Sequence, residues 1–96
     1  MLIISPKITQ KIADPSHGSL SERDVRECFL NRCGRVCRDD REEHKTDPVT
    51  KWFVAPNHLG RVLKIVYVED DEHIYLKSAY PATKEIENMF NRNATD

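Results

Sequence analysis

The chain lacks any long hydrophobic run. Its N-terminal Met1-Leu2-Ile3-Ile4 is too short for a secretory core or a membrane span, so no membrane partner is expected and a cytoplasmic location is. It lacks an even set of cysteines: Cys28, Cys33 and Cys37 read as free thiols in a reducing compartment rather than a disulfide framework. A zinc set of Cys33, Cys37 and His44 has no C-x-x-C knuckle and no clear fourth ligand, with Cys28 or His58 as the proposals for it. Also missing are a Gly-rich phosphate loop, a G-x-S-x-G elbow, an H-E-x-x-H pair and paired carboxylates in an apolar setting. Asp39, Asp40, Glu42 and Glu43 form an acidic run of the kind that is usually solvated, so no metal or other cofactor is expected. Neither charge dominates: 15 Lys and Arg stand against 16 Asp and Glu, so only the local distribution of cations bears on a polyanionic ligand.

What is present suits one domain over residues 1–96, long enough to bury a core without staples. Ser5-Pro6 reads as an N-cap followed by proline at the first helical position, with Ile8 and Ile12 stacked at i, i+4 and Asp14-Pro15 ending the helix. Ser19-Leu20-Ser21-Glu22 matches a capping box before a second helix that carries Val25, Cys28 and Phe29 and ends near Asn31, ahead of Gly34. Val36-Cys37 begins a short strand, and the charged stretch from Arg38 to Pro48 reads as a loop or exposed edge. Trp52 to Ala55 is a strand closed by the turn Pro56 to Gly60, and Thr83 caps a last helix with Ile86, Met89 and Phe90 in its stripe. The expected fold class is α+β: two N-terminal helices, a three- to four-stranded antiparallel sheet and a C-terminal helix, the helices gathered on one sheet face.

The most informative stretch is Gly60 to Tyr80, a hairpin around the acidic turn Glu69-Asp70-Asp71-Glu72. Leu63, Ile65, Tyr67, Ile74 and Leu76 alternate as a core face. A symmetric turn places Val66 opposite Tyr75 and Lys64 opposite Lys77 on the other face, where like charges cost a few tenths of a kcal/mol, up to ~1. An anion between the ammonium groups converts that cost into attraction, and Tyr75 offers a ring on which a base can stack. Lysines on a solvent face are also ordinary, with stems that let the charges splay apart, so the pair leaves both readings open. Strict alternation sets Arg61 and Tyr80 at the end of the core face.

Metal-free RNA cleavage needs a group to take the 2′-hydroxyl proton, cations around the pentavalent phosphate and a donor for the leaving oxygen. The candidate residues are Arg41, His44, Arg61, Lys64, Lys77 and Tyr80: His44 for proton transfer, with its ordinary pKa of ~6.5, and Arg41, Arg61, Lys64 and Lys77 for the positive field.

The segments SHGSLSERDVRECF, REEHKTDPVTKWFVA, GRVLKIVYVE and HIYLKSAYPATKEIENMF resemble, in order and spacing, the BrnT-type toxins of the RelE-like ribonuclease superfamily, over roughly residues 7 to 90. Similar sequences also include small bacterial and phage proteins whose name invokes ADP-ribosyl hydrolysis, an activity no residue here supports. The resemblance implies a compact α+β ribonuclease that blocks translation by cutting RNA and is silenced by a DNA-binding antitoxin, in a toxin–antitoxin complex or with a homo-oligomer as a further possibility. Arg61 and Lys64 match basic positions of its central strands, whereas Tyr80 stands where the family carries arginine after Ser-Ala. The alternative is a non-catalytic inhibitor or binding protein of phage or mobile-element origin that uses the same sheet face.

Overall fold

The computed structural model describes residues 1–39 and 49–95. Helix α1 (Pro6–Ala13) starts where Ser5 accepts a hydrogen bond from the Ile8 amide and Pro6 occupies the first turn. Asp14 ends it and caps a short 3-10 turn, Pro15–His17, whose continuation at Gly18 is left-handed, φ 90. Helix α2 (Glu22–Asn31) does carry a capping box, but two residues later than the sequence pattern suggested. Ser21 accepts from the Asp24 amide while Asp24 accepts from the Ser21 amide. The shift follows from Leu20, which is buried and takes the chain into the core before the helix begins. Helix α3 (Lys84–Asn93) is capped by Thr83, as the sequence predicts.

The sheet differs from expectation. It has five strands in the order β1-β5-β4-β3-β2 and is mixed, not three or four antiparallel strands. The addition is β1 (Leu2–Ile3), which lies parallel to β5 (Ile74–Pro81). On the other side β4 (Val62–Glu69) pairs with β3 (Lys51–Pro56), and β3 with the short β2 (Cys37–Arg38).

The β4–β5 hairpin is not symmetric along its length. Glu69 faces Ile74, Val68 faces Tyr75 and Tyr67 faces Leu76, but Val66 faces Ser78, so Lys77 is an extra residue in a β-bulge. Burial of both Leu76 and Ala79 requires it, since residues three apart cannot share a face under strict alternation. Three expectations fall. The turn itself pairs each β4 residue two positions further along β5 than a symmetric turn does, so Val66 does not oppose Tyr75. With the extra residue of the bulge, Lys64 opposes Tyr80 rather than Lys77, and the bulge takes Tyr80 off the core face, its place there taken by Ala79.

The face carrying Leu63, Ile65 and Tyr67 packs under α1 and α2, with Ile12, Val25 and Cys28 fully buried against it. Phe29, Phe53 and Tyr67 form an edge-to-face trio with centroids 4.9 to 5.9 Å apart. Helix α3 does not join them. Its Phe90 packs on Trp52 at 5.9 Å, and Trp52 pairs with Val66, so α3 covers part of the opposite face. The helices therefore sandwich the sheet instead of gathering on one side. Backbone bonds between Val36 and Thr95, and a 2.6 Å bond from Arg35 to the Ala94 carbonyl, pin the end of α3 beside β2. No helix among the described residues is long and apolar enough to cross a membrane.

Two buried polar side chains, Asn57 and Glu27, are fully engaged, whereas the buried Nδ1 of His73 has no hydrogen-bond partner among the described residues. Asn57, 5% exposed, accepts from the Leu59 and Arg61 amides and donates to Asp24, which fixes the turn before β4 on the N-terminus of α2. Glu27 accepts from the His58 amide and from Arg23, and those bonds hold its carboxyl below the ordinary 4.5. Burial pushes Asp24 up, but the bonds from Ser21 and Asn57 outweigh it and the net shift is downward. Carboxylates lowered by folding stabilise the protein above their unfolded pKa and lose that contribution as pH falls through the folded value. The melting temperature is therefore expected to fall on acidification below about 4.5. In Glu27→Gln that acid limb should be shallower, and an identical limb would remove Glu27 from the account.

The thiols differ in environment. Cys28 is buried, donates to the Ala55 carbonyl and has its pKa pushed up by burial to about 12. Cys37 is buried as well, whereas Cys33 is exposed. A thiol reagent at neutral pH is expected to modify one cysteine rapidly in the folded protein and all three only in denaturant. Rapid loss of a second thiol from the native state would contradict this burial pattern.

Candidate functional site

The sheet face opposite the α1–α2 core is only partly covered by α3, and the remainder forms a groove of about 990 Å³. Its floor comes from one face of four strands, brought together by the register: Cys37 opposes Trp52, Trp52 opposes Val66, Val54 opposes Lys64, and Lys64 opposes Tyr80. Met89 and Asn93 of α3 form one wall, and Arg38 and Asp39 close the end at β2.

Lys64 lies at the centre. Its ammonium nitrogen stands 4.3 Å from the centroid of the Trp52 ring and 5.6 Å from that of Tyr80. Both lie within cation–π range, an attraction of about 0.5–2 kcal/mol that holds the flexible stem against the sheet. Among the described residues no carboxylate pairs with Lys64, in contrast to Lys51, whose ammonium is 2.6 Å from Glu69. Lys64 also acts on Cys37: burial pushes that thiol up, while the Lys64 and Arg35 charges pull it partly back. The groove thus holds a positioned, half-buried cation between two aromatic rings, with Arg38 as a second cation at its edge. Such an arrangement suits an anionic group attached to a flat ring.

Of the residues singled out from the sequence, the fold brings Lys64 and Tyr80 together. Lys77 is not part of the groove; the bulge turns it into a separate hollow lined also by Lys7 and Lys11. Arg61 is elsewhere too. Its guanidinium stands over Gly18, and its charge helps lower the Asp24 carboxyl, on the α2 side of the sheet. Arg41 and His44 lie outside the described residues.

Trp52, Arg38 and Asn93 line the groove and were not among the sequence candidates. Trp52 had a legible signal: strand β3 is apolar on both faces, which occurs when both are covered. His17 also went unnoticed as a neighbour of the site. Its Nδ1 is 3.3 Å from the Ala79 carbonyl, and its ring meets Tyr80 edge-on at 6.2 Å. Since a carbonyl can only accept, the bond places the His17 proton on Nδ1. No family model, curated protein or solved structure matches this chain.

Proposed function

We propose that the groove binds a single strand of RNA, with Lys64, held on the buried Trp52 ring, contacting a phosphate and the Tyr80 ring flanking the adjoining base. The observation that carries this reading is the Lys64 ammonium held between two aromatic rings with no carboxylate partner among the described residues. A phosphate there gains a charge-assisted bond at a site where the lysine is already immobilised, so little side-chain entropy is lost on binding. Base stacking on an aromatic adds about 1–3 kcal/mol.

The chemistry proposed for the bound strand is metal-independent cleavage by 2′-hydroxyl attack, as in the BrnT-type toxins that the sequence resembles. In that mechanism Lys64 and Arg38 stabilise charge on the pentavalent phosphate, Tyr80 donates a hydrogen bond, and Arg41 and His44 supply a cation and a proton-transfer group. A DNA-binding antitoxin is the partner this reading entails. A second reading, RNA or protein binding without cleavage, is favoured by the separation of Arg61 and Lys77 from the groove, which thins the cationic cluster such cleavage uses.

Expression in bacteria separates the two. For a nuclease, the wild-type chain arrests growth and fragments RNA, and Lys64→Ala abolishes both. For a binding module, expression is harmless, while RNA affinity in vitro still falls about tenfold in Lys64→Ala through loss of one charged contact. Unchanged RNA affinity in Lys64→Ala would remove the nuclease and RNA binding through this groove, leaving protein binding alone.

A further inference from the structure

The bulge that removes Lys77 from the groove gives it new neighbours. At the sheet edge, beyond the end of β1, Lys77 joins Lys7 and Lys11 around a hollow of about 610 Å³. Lys7 and Lys11 are one helical turn apart on α1, and Lys11 donates to the Lys77 carbonyl at 3.4 Å. All three are exposed, and among the described residues none is in an ion pair. Three uncompensated ammonium groups beside one hollow repel each other unless an anion lies between them.

The hollow opens at the sheet edge, between the α1 side, to which Ile8 and Leu76 of its lining belong, and the face that carries the groove. Tyr75 and Val68, which line it, occupy the same sheet face as Lys64 and Tyr80, with the Val66–Ser78 row between. Four residues along β4 separate Lys64 from Val68, ~13 Å at strand rise, a span that a few nucleotides cross. Tyr75 presents a second ring along that path, and the Tyr75 hydroxyl is held by Asp70 at 3.2 Å, which fixes the ring.

We propose that this hollow is a second phosphate-binding subsite, and that an RNA strand seated at Lys64 continues along the sheet face and over its β5–β1 edge to Lys7, Lys11 and Lys77. The proposal rests on the groove reading and extends its footprint. An acidic polypeptide has the same charge, but continuity with the groove and the intervening Tyr75 ring favour a strand that makes both contacts at once.

The test uses the full chain, fluorescently labelled single-stranded RNA of about four and about twelve nucleotides, and a poly-glutamate peptide. The wild type is expected to bind the longer strand at least tenfold more tightly. In the Lys7→Gln, Lys11→Gln, Lys77→Gln triple variant that gain disappears, and the logarithmic salt dependence becomes shallower by about 2, from three lost contacts at ~0.7 each. The corresponding triple arginine variant keeps the gain. Short-strand affinity is unchanged in both triple variants and falls in Lys64→Ala. A glutamine variant that retains the full length gain overturns the subsite while leaving the groove intact, as does one that loses only poly-glutamate binding. Short-strand binding indifferent to Lys64→Ala overturns the groove reading itself.

Discussion

Phe53→Ala is expected to lower the unfolding free energy by about 4 kcal/mol, the range for emptying a large aromatic from a close-packed core. Phe53 is 1% exposed, sits on β3 between β2 and β4, and makes ring contacts with Phe29 at 4.9 Å and Tyr67 at 5.9 Å. Its loss removes its own burial and one corner of the aromatic trio that fastens α2 to the sheet, and neither helix nor strand can move in to fill the space. For a domain whose total stability is ~5–15 kcal/mol this is a large share. Urea denaturation checks it: the midpoint falls sharply while the slope with denaturant stays the same. A loss below about 1 kcal/mol would mean that this face is not the packed core.

Gly18→Ala is expected to cost on the order of 3 kcal/mol, from backbone strain and overpacking together. Gly18 has φ 90, a conformation that L side chains rarely adopt. A β-carbon there would also lie 2.7 Å from the Pro81 ring carbons and 2.8 Å from the Arg61 guanidinium. The arginine can swing away, but the proline ring is tied to the end of β5 and cannot yield without moving the strand. Gly34 serves as the internal control. It has φ 92 but nothing within 4 Å of an added β-carbon, so Gly34→Ala carries the backbone strain alone and destabilises by less. Equal losses at the two positions would show that the contact between the 3-10 turn and β5 contributes nothing. The same contact bears on the groove, since His17, the neighbour of Gly18, is the residue whose ring rests against Tyr80.

Much of this architecture is legible from local chemistry. Ser5 with Pro6, Asp14 with Pro15, and Thr83 set helix limits because an orphan amide needs an oxygen within a few residues, and that need is written in adjacent positions. The core face of β4 is equally plain, since Leu63, Ile65 and Tyr67 alternate without a break. Strand β5 is harder. Its apolar positions, Ile74, Leu76 and Ala79, fit no single alternation, and the small residues Ser78 and Ala79 weigh little in a hydrophobic pattern. The bulge at Lys77 is therefore not legible in the pattern, and the partner of Lys64 depends both on it and on a turn that pairs two residues further along β5 than a symmetric one. Strand β1 is two residues long, too short to show a period, and is held by its pairing with Ile74 and Tyr75 across the fold. The stripe of α3 shows that the helix buries one side but not which sheet face receives it. That information sits in Trp52, Val54 and Val66, whose apolar character on the second face of the sheet calls for a cover. The groove follows from both hidden features, the bulge that turns Tyr80 toward Lys64 and the helix that walls the second face.

Trp52 is the only tryptophan in the chain, and its ring lies against the Lys64 ammonium, so its emission reports directly on that lysine. Titration of the native protein with single-stranded RNA at low salt is predicted to change Trp52 fluorescence saturably, with an apparent affinity that weakens as salt is raised and a response lost in Lys64→Ala. Emission that stays constant across the titration, or that responds equally with alanine in place of Lys64, would contradict the assignment of this groove to RNA.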